Sequence, residues 1–311
     1  KRGFYNELLE TEDANPIIYG EYKTPGAKRT LCFYVHYDGQ PVDLIQWTHG
    51  PFDPVLYDAS MDAGGKPIPL PMKQTKIDPE WRLYARSAGD DKAPIMTILN
   101  AVDGLQSSEI GFTSNIKLFF EGEEEAGSTN LEAHLTKHKA LLDDIDIWLF
   151  CDGPMHQSRQ PQLVFGVRGV TGMEITVYGA TRSLHSGHYG NWAPVPGQSL
   201  AHLIATMKDE NGKVLIDGFY DTVVPLSEFE RFELSKIPDV DRQLKKELGL
   251  AYTEGNGRSI NERLLLPSLT IKGLSSGNVG KKARNVIPNT ATAAIGVRLV
   301  KGNDPKDMLD K

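Results

Sequence analysis

The sequence predicts an α/β fold with a mainly parallel sheet and flanking helices, followed by an α+β domain of ferredoxin-like type. Three observations carry this expectation. Between Arg29 and Cys151, apolar strand-like runs alternate with helix-like runs in the order strand, helix, strand, helix, strand. That order implies parallel pairing through crossover helices. After about Pro161 the pattern changes to half-exposed alternating strands mixed with short helices. Finally, the chain has 311 residues, and single cores stop growing near roughly 250–300 residues, so two domains are expected. Their expected spans are 1–163 and 164–311.

Residues 1–30 are polar and turn-rich and announce no element. Arg29–Asp38 (RTLCFYVHYD) is the first strong strand, and it delivers His36 and Asp38 at its C-terminal end. Residues 39–80 are rich in Pro and Gly and include Trp47, Phe52 and Tyr57; they read as excursion loops or a small hairpin. Ala85–Pro94 (ARSAGDDKAP) leads into a helix with Ile95, Ile98, Leu99, Val102 and Leu105 on one face. Asp90 or Asp91 stands where an N-cap belongs, and Pro94 suits a first turn. A buried strand, Asn115–Phe120, runs into four glutamates within five residues: Glu121, Glu123, Glu124 and Glu125. A helix is expected from Asn130 to Leu142, with Ser128 a better N-cap than nucleophile, and then a strand from Ile145 to Cys151 that ends in Asp152-Gly153-Pro154. In the second domain, strands are expected at Val164–Gly169, Thr171–Tyr178, Lys213–Ile216, Leu266–Ile271 and Thr290–Val300. Helices are expected around Leu200–Met207, Phe229–Leu234 and Val240–Leu248.

Composition narrows the classes of function. A net charge of −7 and the lack of a basic stripe with interleaved aromatics argue against nucleic acid as a partner. No apolar run approaches the ~20 residues that span a bilayer, so no membrane association is expected. Cys32 and Cys151 both lie in apolar runs and read as two buried thiols in a reducing, cytoplasmic compartment. The chain starts without Met and stops at Lys311 inside a helix-like run. It is therefore expected to be a fragment of a longer protein, and the unseen N-terminus leaves export open.

The acidic run is where chemistry is first visible. Carboxylates at the end of a buried strand are costly to desolvate unless a cation or hydrogen bonds compensate. A solvated charge run would explain four glutamates alone. The other strand ends tip the balance, because in parallel sheets ligands bind beyond the carboxyl ends. His36, Asp38, Asp90, Glu124, Glu125 and Asp152 all fall at strand ends or in the loops after them. One His and several carboxylates suit a divalent metal such as zinc, and a carboxylate can bridge two ions. Asp38 is placed to hold the other imidazole nitrogen of His36. Adjacent glutamates can divide the work, one binding metal and the other acting as general base. Singly, each has a plainer explanation. His36 could be a strand histidine satisfied by Asp38, and Asp152 could open a turn. His134 and His138 lie four apart on a helix without the glutamate that zincin chemistry needs, and are expected to face solvent.

The segments HYD, SAGDDKAP, EGEEEAGS, FCDGP and SLHSGHYGN, in this order, resemble the dinuclear zinc peptidases of the carnosinase and cytosolic nonspecific dipeptidase family. The resemblance runs from about Thr30 to Val300. It implies a phosphorylase/hydrolase-like catalytic domain interrupted by an inserted lid or dimerisation domain, and a homodimer through that lid. It implies two divalent ions, zinc with manganese as the alternative. His36 and Asp152 would bind one ion and Glu125 the other, with Asp90 bridging and joined to Asp91 by a cis peptide. Glu124 would be the general base that acts on a metal-activated water, and Asp38 would orient His36. His185, across a dimer interface, would reach the substrate or its oxyanion. Asn285 and Arg298 match substrate-contacting positions, and Arg298 could clamp a peptide's terminal carboxylate. Ala85, Ser87 and Ala93 replace glycines usual around the bridging aspartate. A last histidine ligand of the second metal belongs to a C-terminal part of the catalytic domain that lies beyond Lys311. The implied activity is hydrolysis of dipeptides or short peptides. The alternatives are an N-acyl amino acid deacylase or carboxypeptidase of the same architecture, or a truncated non-catalytic fragment.

Overall fold

The computed structural model describes residues 2–72, 76–153 and 155–311. Pro154, the last residue of the expected turn after Asp152, lies outside the described residues. The chain divides into two compact units, Lys1–Pro154 and Met155–Lys311.

The first unit contains strands β1 (Tyr5–Leu9), β2 (Ile17–Tyr22), β3 (Thr30–His36), β4 (Val55–Tyr57), β5 (Pro67–Ile68) and β6 (Arg82–Tyr84). Helix α1 (Lys92–Ser107), strand β7 (Asn115–Glu121), helices α2 (Leu131–Lys137) and α3 (Lys139–Leu142), and strand β8 (Ile147–Phe150) follow. The main sheet has the order β1-β2-β7-β3-β8. β3 pairs in parallel with both β7 and β8, as the alternation of strands and helices predicts. β1 and β2 add an antiparallel edge that the sequence reading missed. The reason lies in β1, where four of five residues are exposed, so no apolar run marks it.

Both faces of the parallel part are covered. Leu31, Phe33 and Val35 of β3 pack with Ile116, Leu118 and Phe120 of β7 and with Ile95 and Ile98 of α1. On the opposite face, Cys32, Tyr34 and Phe119 meet Leu131, Leu141 and Leu142 of α2 and α3. Each large apolar side chain buried this way contributes roughly 1.5–3 kcal/mol. That packing fixes which way the strand ends point. The expected helix 130–142 is broken at His138, whose backbone leaves the helical region. Asn130, not Ser128, occupies the N-cap position, and it makes no side-chain cap bond. Within the stretch expected to hold loops or a small hairpin, β4 and β5 pair as an antiparallel hairpin, and β6, just beyond it, pairs on the other side of β4.

His134 corrects an expectation. It is 2% exposed, not solvent-facing. Its Nδ1 lies 2.9 Å from Thr11 Oγ1 and its Nε2 3.1 Å from the Asn15 carbonyl. Burial lowers its pKa. It ties α2 to the loop between β1 and β2.

The second unit holds β9 (Gly169–Tyr178), β10 (Leu184–His185), α4 (Ser186–Tyr189), α5 (Pro196–Met207), α6 (Glu228–Leu234), α7 (Asp241–Glu247) and α8 (Ile260–Leu264). β11 (Ser268–Ser275), β12 (Val286–Ile287), β13 (Thr290–Leu299) and α9 (Pro305–Leu309) complete it. An antiparallel sheet of order β11-β13-β9 carries the unit. Along β13, Ala291, Ala293, Ile295, Val297 and Leu299 are buried while the alternate residues are more exposed. The buried face meets Leu200 and Ile204 of α5 and Met308 of α9. Helices on one side of an antiparallel sheet match the expected ferredoxin-like layer. Lys213–Ile216 is not the strand expected there. It makes one bridge, Lys208 to Val214, after a turn at Gly212, and Val214 and Ile216 pack into the core instead.

Candidate metal centre

β3, β7 and β8 run in parallel, so their C-terminal ends open on the same edge of the sheet. His36 is the last residue of β3 and is fully buried. Its Nε2 lies 2.9 Å from Asp90 Oδ1, 3.7 Å from Asp152 Oδ1 and 3.8 Å from Glu124 Oε2. Its Nδ1 lies 3.2 Å from Asp38 Oδ1. The other Asp38 oxygen accepts the Glu125 backbone N–H at 3.0 Å. One carboxylate therefore positions both the histidine and the turn that carries Glu124 and Glu125. The Asp90–Asp91 peptide is cis, as the resemblance implies.

His36, Asp90 and Asp152 each offer one donor atom, and these atoms lie within 4.8 Å of one another. The donor set fits a divalent ion, since imidazole nitrogen and carboxylate oxygen are the pair that zinc and its neighbours accept. The electrostatics fit as well. Burial pushes the carboxyls of Asp152 and Glu124 up from their ordinary values, and His36 holds them down only in part. Burial also raises Asp91 to about 6, against the bond from the His36 N–H. Burial by itself would lower the His36 pKa, but Asp152, Asp91, Asp90 and Glu124 outweigh it and raise it. Several desolvated carboxylates around one imidazole favour a cation at their centre.

The four glutamates of the acidic run have different partners. Glu121 is buried, and its Oε2 accepts from the Tyr34 hydroxyl. Glu123 accepts the Asn15 backbone N–H at 2.9 Å and the Asn130 amide at 2.9 Å. Glu124 faces His36. Glu125 Oε2 accepts from Gln40 Nε2 at 2.6 Å, and its charge helps to raise the Asp152 pKa. The turn needs Gly122, because a Cβ there would collide with the Tyr37 phenol. Ser87, in the place of a family glycine, adopts a φ of 59°, a left-handed conformation that costs a side-chain-bearing residue roughly 1–2 kcal/mol.

Two contacts escaped the sequence reading. Asp91 stands at the N-cap position of α1 without capping it, and its Oδ2 instead accepts the His36 backbone N–H at 3.2 Å. Gln40 steadies Glu125. Asp91 could have been suspected from the doubled aspartate. Gln40 carries no local signal.

The remaining site candidates lie in the second unit. His185 pairs with Val286 across β10 and β12, and its Nδ1 accepts the Gly187 N–H at 3.1 Å. The Asn285 carbonyl accepts the Ser186 N–H at 3.0 Å, so Asn285 and His185 are neighbours. Arg298 is not with them. It sits near the far end of β13, eight residues beyond Thr290, which at about 3.3 Å per residue is some 26 Å away.

Comparison with known proteins agrees with this architecture. Residues 165–311 match the M20 peptidase dimerisation domain. The chain is 29% identical over 296 residues to the Cys-Gly metallodipeptidase dug1 of Schizosaccharomyces pombe, covering 92% of this chain and 56% of that protein. It is 30% identical over 292 residues to the Beta-Ala-His dipeptidase of Homo sapiens, covering 92% of this chain and 53% of that one. Among solved structures, an M20 family metallo-carboxypeptidase, Sso-CP2 from Sulfolobus solfataricus, superposes with a TM-score of 0.74 at 31% identity. That match covers 99% of this chain and 65% of the other. The chain thus spans about half the length of the curated relatives it matches. These similarities extend over both units, and the proteins matched include peptidases of the M20 family.

Proposed function

We propose that the protein to which this chain belongs hydrolyses the peptide bond of dipeptides or short peptides, with Glu124 as general base. The observation that carries this is the placement of Glu124 Oε2 3.8 Å from His36 Nε2, beside the Asp90 and Asp152 carboxylates and with its own pKa raised by burial. A general base works best with a pKa near the operating pH. The names of the dug1 and Beta-Ala-His relatives support the same reading.

His36, Asp90 and Asp152 would hold a divalent ion, and Asp90 with Glu125 would serve a second; zinc is the first choice and manganese the alternative. Bound there, the ions supply Lewis-acid polarisation of the scissile carbonyl and a water acidic enough to attack at neutral pH. Asp38 holds the Nδ1 proton of His36 and so leaves Nε2 free to donate its lone pair. Glu124 takes the proton from the attacking water and returns it to the leaving amine. His185 stabilises the oxyanion, and Asn285 contacts the substrate beside it. Arg298 clamps the terminal carboxylate. A dipeptide is far shorter than the separation between His185 and Arg298, so one substrate that touches both draws them from two copies. This supports a homodimer built through the second unit. The two free thiols, Cys32 and Cys151, support a cytoplasmic setting.

Glu124→Gln in the full-length protein tests the assignment. Turnover of Cys-Gly or β-Ala-His should fall by about 10³-fold while metal content stays at the wild-type level. Near-normal turnover in that variant would refute the assignment. The Sulfolobus neighbour keeps a carboxypeptidase as the second reading. An N-blocked dipeptide separates the two, because a dipeptidase that needs the free amino terminus leaves it uncut.

A further inference from the structure

The second unit contains a cavity of about 260 Å³ between α7, α8, the loop joining them and the start of β11. Its wall is apolar. Leu244, Leu248, Leu250, Ile260 and Leu264 line it, and Leu248 remains 66% exposed. Four basic side chains (Arg168, Lys245, Arg258 and Arg263) and two acidic ones (Asp241 and Glu254) also line it. The acids are already engaged. Asp241 accepts the Ile260 backbone N–H at 3.1 Å, and Glu254 pairs with Lys208 at 2.7 Å. Of the bases, only Arg263 has a side-chain partner, the Gly212 carbonyl at 3.2 Å. Among the described residues, the side chains of Arg168, Lys245 and Arg258 have no hydrogen bond or carboxylate partner.

Arg168 is the decisive one. It is half-buried, and it stands two residues before Val170, the β-partner of Arg298. Burial lowers its pKa and the neighbouring Arg298 lowers it further. A guanidinium in that position lacks compensation, and an anion would supply it. The surplus of free positive charge is local, since the whole chain carries −7. An inorganic anion would satisfy the arginines but leave the leucine wall wet. A zwitterion would bring an ammonium group with no free carboxylate to meet it.

We propose that this cavity binds a small amphipathic monocarboxylate, its carboxylate on Arg168 and Arg258 and its aliphatic body against Leu244, Leu248 and Leu264. The volume lies just below the range usual for drug-sized ligands, so the occupant is short. This inference does not depend on the hydrolase reading, because it concerns binding to the chain alone.

The test compares three probes on the 311-residue chain by titration calorimetry and methyl-labelled NMR. They are 4-methylpentanoate, its alcohol 4-methylpentanol, and leucine, which adds only the ammonium group. The acid should bind saturably with a Kd on the order of 1 mM, as suits so small a ligand. It should shift the methyl signals of Leu244, Leu248 and Leu264. The alcohol and leucine should bind at least about tenfold more weakly, and Arg168→Gln should weaken the acid by a similar factor. Arg258→Gln serves as the second variant if Arg168→Gln fails to fold. No saturable binding of the acid, equal binding of leucine, or an affinity unchanged in the folded variants would overturn the proposal.

Discussion

The acidic run at the end of β7 contains two pairs of glutamates with different partners. Glu121 and Glu123 are held by the fold, the first by the Tyr34 hydroxyl and the second by the Asn15 backbone and the Asn130 amide. Glu124 and Glu125 are directed toward the end of β3, and neither is bonded into the surrounding core. The residue type is the same in both pairs, and only a few positions separate them. What divides them is geometry. Glu121 continues the parallel ladder opposite His36 and is buried against the Tyr34 hydroxyl, while Glu124 and Glu125 lie in the 3₁₀ turn at Glu124–Ala126 that follows the strand. A charge run is therefore not one feature. Its members become structural or chemical according to what the chain brings to meet each of them.

The comparison breaks most visibly at Glu124. Glu124→Gln should remove about 10³-fold of turnover in the full-length protein and change unfolding stability by less than about 0.5 kcal/mol. A large stability loss would place Glu124 with the structural pair. The next effect is at Glu121. Its Oε1 already has no partner in the core. Tyr34→Phe would orphan the remaining oxygen, and a denaturant titration should show about 1–3 kcal/mol of lost stability. An unchanged midpoint would mean that this carboxylate is not held as its geometry indicates. The smallest effect belongs to Glu123, where Glu123→Ala should cost about 1 kcal/mol at neutral pH. The Asn15 N–H and the Asn130 amide hold the Glu123 pKa below its ordinary 4.5. The folded state therefore keeps this carboxylate charged where the unfolded chain has begun to take a proton. Its contribution is full above about 4.5 and disappears as pH falls through the lower folded value. Melting curves of wild type and Glu123→Ala should accordingly converge in acid. Parallel curves down to pH 3 would contradict this.

Much of the fold was legible because burial on both faces leaves a mark in composition. β3, β7 and β8 are near-continuous apolar runs, and the residues at their C-terminal ends stand out against them. His36 and Asp152 were nominated that way and Asp90 from the loop before α1, and the structure brings all three together. The elements that escaped lack such a mark. β1 is wet on most of its length. The Lys213–Ile216 run is apolar because Val214 packs into a core, not because it belongs to a sheet. His134 was misjudged because its partners, Thr11 and Asn15, lie more than a hundred residues away in sequence. Separations of 87 and 85 residues likewise hide Tyr34 from Glu121 and Gln40 from Glu125. Local pattern reports what an element is made of, whereas pairings across the sheet become visible only in three dimensions.

The most direct test of this account is a titration of the 311-residue chain with Zn²⁺, followed by calorimetry in wild type, Asp152→Asn and Glu123→Gln. The account predicts saturable binding in wild type, weakened at least about tenfold in Asp152→Asn and unchanged in Glu123→Gln. Equal affinity in all three proteins, or an affinity that follows Glu123 and ignores Asp152, would contradict it.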